Sequence, residues 1–315
     1  MNTMLSRIAD SLFWLNRYTE RCDGLLRHVY VHYILSLDRA LNSGHHWRSV
    51  LQLHSASPPG TLMSIEDKTP EVLLNLFLEE ANDNSIRSLV TKARENARGA
   101  QDHITKEVWE VVNSLYHQVN NAGLAAKLKS EQGIKTIDGF AKHTALYSGI
   151  TDNTMSRGLG WNFMNLGKFV ERCQQTILLL RKELEHHAFD EGRGAHILEW
   201  RYLLFCLSGY EMHLKTYRSD ELRYNALHQI MLNESFPRSI LYSLIRIKYY
   251  LEHIMEMQED EKKELSHTIG RLHSKVLYMD LRSMDGPALQ AFLREVGTEL
   301  STFTAQLNQA YFSYS

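Results

Sequence analysis

Apolar residues recur every three or four positions over long stretches of this chain, the spacing of helices that bury one face. One stripe opens the sequence. Ile8, Leu12, Leu15, Tyr18, Cys22, Leu26, Val29 and Tyr33 predict a helix from near Ser6 to near Leu41, broken by no proline and containing only Gly24. A second stripe, Leu159, Phe163, Leu166, Phe169, Cys173, Ile177, Leu180 and Leu184, predicts another helix from near Gly160 towards His187. Shorter helices are predicted over 70–80, 85–99, 102–120, 191–217, 220–232, 237–257, 261–281 and 287–311. Pro237 and Pro287 are read as first-turn prolines, a position that needs no backbone N–H. Segment 55–70 reads as a loop, because Pro58, Pro59, Gly60 and Pro70 interrupt regular structure. Segment 121–154 reads as a looser stretch around Gly123, Gly133, Gly139 and Gly149. No segment alternates as a half-buried strand would. The expected fold is all-α, a bundle of long helices forming a single domain over 1–315.

The two long stripes align without a gap at an offset of 151, which lays Leu15–Cys22 (LNRYTERC) over Leu166–Cys173 (LGKFVERC). Any two bundle helices share such a stripe, but the shared Glu-Arg-Cys favours an internal duplication. The halves would be roughly 1–150 and 151–315, related by a pseudo-twofold axis. On a wheel of about 100° per residue, Glu20 and Arg21 leave the stripe on opposite shoulders, each flanked by apolar residues. Glu171 and Arg172 do the same. Charges in such settings seldom lack a partner. Cross-pairs, Glu20 with Arg172 and Glu171 with Arg21, are the natural expectation. They could fix helix register only, or line a cleft between the repeated helices where guanidinium groups grip a carboxylate or phosphate.

A second polar constellation lies in 93–113, ARENARGAQDHITKEVWEVVN. Arg94, Arg98 and Asp102 share a face if the helix passes Gly99, giving an Arg98–Asp102 pair beside Glu95–Arg98. Glu107 and Trp109 follow on later turns. Asn96 and Asn113 are poor helix formers set among arginines. A solvated salt-bridged face and a binding surface both fit.

Thirty-five basic and thirty-seven acidic residues give a net charge of −2, without the basic surplus of a nucleic-acid binder. The three cysteines form no CxxC and no disulfide framework, which fits a reducing cytoplasm. Cys22 and Cys173 sit on the stripes and read as core residues. Arg7, Asp10 and Arg17 interrupt the first apolar stretch, so neither a secretory h-region nor a membrane span is expected. No phosphate-binding glycine motif occurs. Glu183–His186 and Glu264–His267 have the spacing of di-iron ligands, but both are read as polar helix ends. No metal site and no cofactor is expected.

The opening MLSRIADSLFWLNRYTERC resembles the start of the bacterial alpha-E domain family. The segment GWNFMNLGKFVERC is similar to that family's second Glu-Arg copy, ARENARGAQDHITKEVWEVVN to its Arg-Glu-Asn-Ala-Arg segment, and Phe236–Ser239 (FPRS) to its late Pro-Arg-Ser motif. Asn16, Lys168 and Phe169 depart mildly from the family's usual Gly, Arg and Tyr. The resemblance implies an all-helical fold with no established activity. It also implies company: ATP-grasp-like ligases and transglutaminase-like proteins, and hence a system that makes or modifies peptide or amide bonds. By the same resemblance Glu20, Arg21, Glu171, Arg172, Arg94, Glu95, Asn96, Arg98, Asp102, Glu107, Trp109, Pro237 and Arg238 are motif positions. Three roles stay open. The chain is an accessory component that binds ligand or partner through these residues, an enzyme on a peptide or amide using Glu20 or Glu171 as acid/base, or a structural scaffold.

Overall fold

A computed structural model describes residues 4–36, 47–187, 195–219, 221–258 and 262–313. Among these residues the chain is helical without a strand, with fifteen α-helices. It divides into two compact units, Trp14–Ser156 and Met1–Phe13 with Arg157–Ser315.

In the unit of Trp14–Ser156, helix α1 (Ser6–Ser36) contributes all but its first turns. Short helices α2 (Arg48–His54), α3 (Pro59–Ile65) and α4 (Thr69–Leu78) follow. Next come α5 (Ile86–Gly99), a 3-10 turn (Gln101–His103), α6 (Lys106–Val119), α7 (Leu124–Lys129) and α8 (Gly133–Thr154). Helices α1, α5, α6 and α8 converge on a common interior lined by Tyr18, Cys22, Leu89, Val112 and Tyr147, among others. Tyr147 donates to buried Asn16 at 2.5 Å, and Thr144 to Asp23 at 3.0 Å, tying α8 to α1.

The other unit holds α9 (Leu159–His187), α10 (Ala195–Cys206), α11 (Tyr210–Thr216) and α12 (Leu222–Met231). It continues with α13 (Ile240–Gln258), α14 (Lys263–Leu277) and α15 (Gly286–Leu307). Helix α9 packs most extensively on α13, α13 on α14, α14 on α15, and α15 back on α9. Gly167 lets α9 approach the start of α1. A β-carbon there would overlap the carbonyl oxygen of Phe13, so only glycine fits.

Several expected boundaries move. Segment 55–70 contains a helix, α3, because Pro59 occupies its first turn, where a fixed φ favours the helix, and Leu62 is buried beneath it. Segment 121–154 is two helices rather than a loose stretch. Gly139 and Gly149 face open space on α8, where each weakens the helix by only about 1 kcal/mol, and the buried face of α8 outweighs that. The helix expected over 191–217 is broken at Ser208, with φ at 54°, between α10 and α11. Pro237 lies in a turn ahead of α13, not in its first turn. Ser239 is the cap, accepting from the Tyr242 amide at 2.9 Å. The end predicted for the first helix near Leu41 lies outside the described residues.

Candidate functional site

The two Glu-Arg pairs fall in different units. In one, Glu20 on α1 is 5% exposed. Arg21 Nη1 donates to Asn84 Oδ1 at 3.3 Å, in the turn that leads into α5. Ser85 caps α5, accepting from the Ser88 amide at 3.2 Å. Lys92, two turns into α5, carries its ammonium 6.0 Å from the Tyr18 ring. The same ammonium pairs with Asp83 at 2.8 Å, which holds the Asp83 carboxyl below its usual range.

The other unit repeats these roles with different residues. Glu171 on α9 is 2% exposed and accepts from Gln175 at 3.5 Å. Arg172 Nη1 donates to the Pro237 carbonyl at 3.2 Å, in the turn that leads into α13. The hydroxyl of Thr176 donates to the Arg238 carbonyl at 3.0 Å, so the backbone of Arg238 is fixed to α9. Arg246, two turns into α13, lies 5.7 Å from the Phe169 ring and 4.9 Å from each of Tyr249 and Tyr250. Lys168 and Arg172 approach the same Phe169 ring at 6.0 and 5.1 Å.

The second constellation is only partly one site. Helix α5 ends at Gly99, so Arg98 and Asp102 do not share a helix face. Asp102 is exposed in the 3-10 turn and the expected Arg98–Asp102 pair does not form, while the expected Glu95–Arg98 pair does, at 3.2 Å. Arg94 lies over Tyr116 at 4.4 Å and Trp109 at 5.6 Å, donates to Asn113 at 2.8 Å and pairs with Glu95 at 3.4 Å. Asn96 bonds back to the Lys92 carbonyl at 2.8 Å, the local alternative that makes asparagine a poor helix former. Glu107 is exposed in the first turn of α6, behind the Thr105 cap, where it complements the helix dipole.

Other titratable groups complete the picture, of which His28 and His54 were not singled out in the sequence. Glu183, expected at a polar helix end, is 9% exposed on α9. Burial and the Glu199 charge push its carboxyl up to about 8. His28 and His54 meet at 2.9 Å, and burial lowers both imidazoles, His54 to about 4. Burial raises the Cys22 and Cys173 thiols well above the ordinary thiol range, the state of inert core cysteines. Glu264 is exposed and accepts from Gln306 at 3.1 Å. No group of three or more His, Cys, Asp or Glu able to hold a metal occurs among the described residues. No helix among them is long and apolar enough to cross a membrane. A legible signal for Lys92 and Arg246 was available: Ser-Ile after a turn, with a cation seven residues beyond the serine.

Residues 4–312 match the model of the Alpha-E family, described as a predicted alpha-helical domain with a conserved ER motif. The chain is similar to uncharacterised proteins of Mycobacterium bovis and Mycobacterium tuberculosis. Each is 22% identical over 319 residues that cover 92% of this chain. This chain spans 34% of the length of those relatives. No solved structure matches it.

Proposed function

The chain belongs to the Alpha-E family, and from that premise we propose that it is a cytoplasmic binding component of a system that forms or modifies peptide or amide bonds. It serves beside an ATP-grasp-like ligase and a transglutaminase-like protein. The observation that carries the reading is how the motif residues are used. Glu20 and Glu171 are buried, and Arg21 and Arg172 are bonded to the turns that start α5 and α13. Arginines committed in this way hold a shape and present neighbouring side chains. That the matched region makes up 34% of the relatives' length agrees with a module that works beside other parts. An enzymatic reading has one observation in its favour, the Glu183 carboxyl near 8, a value suited to acid/base work at neutral pH. The test is affinity capture from the native host with mass-spectrometric identification. Recovery of an ATP-grasp-like ligase or a transglutaminase-like protein supports the binding role. Recovery of neither, together with turnover of a peptide or amide by the purified chain that is lost in Glu183→Gln, replaces it with the enzymatic one.

A further inference from the structure

Lys92 of α5 has a carboxylate of its own, and Arg246 of α13 has none among the described residues. Lys92 lies seven residues after its capping serine and nine after Asp83, the residue that neutralises it. Arg246 lies seven residues after Ser239 and nine after residue 237, which is proline. Arg246 makes no ion pair among the described residues. Its one hydrogen bond runs from Nη2 to the Tyr250 hydroxyl at 2.6 Å. Its Nε is buried without a hydrogen-bond partner, while the residue as a whole remains partly exposed. A guanidinium has five N–H donors in a planar fork matched to a carboxylate, so most of this fork is unused.

Lys168 and Arg172 approach the ring of Phe169 at 6.0 and 5.1 Å, beside Arg246 at 5.7 Å. The faces of Phe169, Tyr249 and Tyr250 stabilise the Arg246 cation in part, and a carboxylate in its fork would stabilise it further.

We propose that Arg246, flanked by Lys168 and Arg172 on the α9–α13 face, binds the carboxylate of a peptide-like ligand, which takes the role that Asp83 plays for Lys92. The carboxylate class follows from that counterpart and from the planar guanidinium fork. The proposal deepens the binding role proposed above by naming the ligand class, and its test uses the purified chain with no partner present. It therefore fails separately from the partner capture.

The experiment is an NMR titration of the full chain with N-acetyl-dialanine bearing a free C-terminal carboxylate, with its C-terminal amide and with inorganic phosphate. The expected result is saturable shifts on α9 and α13 with the carboxylate at millimolar concentration and none with the amide. Binding should weaken at least tenfold in Arg246→Gln and should be unchanged in Lys92→Gln. Pro237→Asp restores the missing carboxylate from within, so it should abolish binding and raise the melting temperature. That variant keeps the proposal testable if Arg246→Gln does not fold. Equal binding of amide and carboxylate, no binding of either, or unimpaired binding in Pro237→Asp would overturn the proposal. Binding of phosphate without carboxylate would overturn the ligand class.

Discussion

Two Glu-Arg helices run through this molecule, and each is read best against the other. Around α1, every group of the arrangement has its complement inside the chain. Arg21 reaches Asn84, Lys92 reaches Asp83, and Asn16 accepts from Tyr147. Around α9, the arginine reaches a backbone carbonyl, glycine stands where Asn16 stands, and Arg246 holds aromatic rings but no carboxylate among the described residues. The Arg94 site sharpens the lesson. It too is a guanidinium over two rings, but Asn113 and Glu95 complete it. Cation and aromatic rings together are thus not a sign of a site. An arginine in such rings without its counterion is.

The largest test of this contrast is Gly167→Ala. Its β-carbon meets the Phe13 backbone, which cannot move aside as a flexible side chain could. The variant should lose about 3 kcal/mol in denaturant unfolding, and Asn16→Gly, which copies the other helix, should lose a comparable amount because it removes the Tyr147 acceptor and adds a helical glycine.

The two units should also respond to pH in opposite directions. Glu183 holds its proton in the fold up to about 8, against an ordinary carboxyl value of 4.5. Between those values the unfolded chain binds fewer protons, so stability falls as pH rises. His54 titrates near 4 in the fold against an ordinary 6.5. There the unfolded chain binds more protons, so stability is lost as pH falls from 6.5 towards 4. Hydrogen exchange followed from pH 4 to 8 should show α9 losing protection upward and α1 losing it downward, on the order of 2 to 3 kcal/mol each. Glu183→Gln should flatten only the first slope. Slopes of the same sign would refute the assignment of either group.

Asn16→Ala should cost about 2 kcal/mol, because it leaves the buried Tyr147 hydroxyl without its acceptor. The two caps rank below that. Ser239→Ala should cost about 1 kcal/mol or slightly more, since Ser239 also donates to the Asn233 carbonyl at 2.7 Å. Ser85→Ala should cost somewhat less in the same thermal-unfolding assay. Asp83→Asn should be the mildest, because its pair with Lys92 is solvent-exposed. Its value lies in the titration: a Lys92 without its carboxylate should begin to bind the acetylated peptide weakly.

Much of this was readable from the chain itself. The three-four apolar spacing determined the helical class, both long helices, their buried stripes and the burial of Cys22 and Cys173, because burial of one face is a property of local periodicity. The wheel placed Glu20 and Glu171 off the stripe among apolar neighbours, and both are buried. The sequence could not decide which group meets which. Local rules made α3 and α8 look irregular, since glycine and proline weaken a helix by amounts that packing of Leu62 or Tyr147 overrides. The reach of Arg21 to Asn84, the buried state of Glu183 and the lack of a counterion at Arg246 depend on which helices pack together. That choice is made by contacts distant in sequence, where the low dielectric of a packed interior sets the cost of every charge.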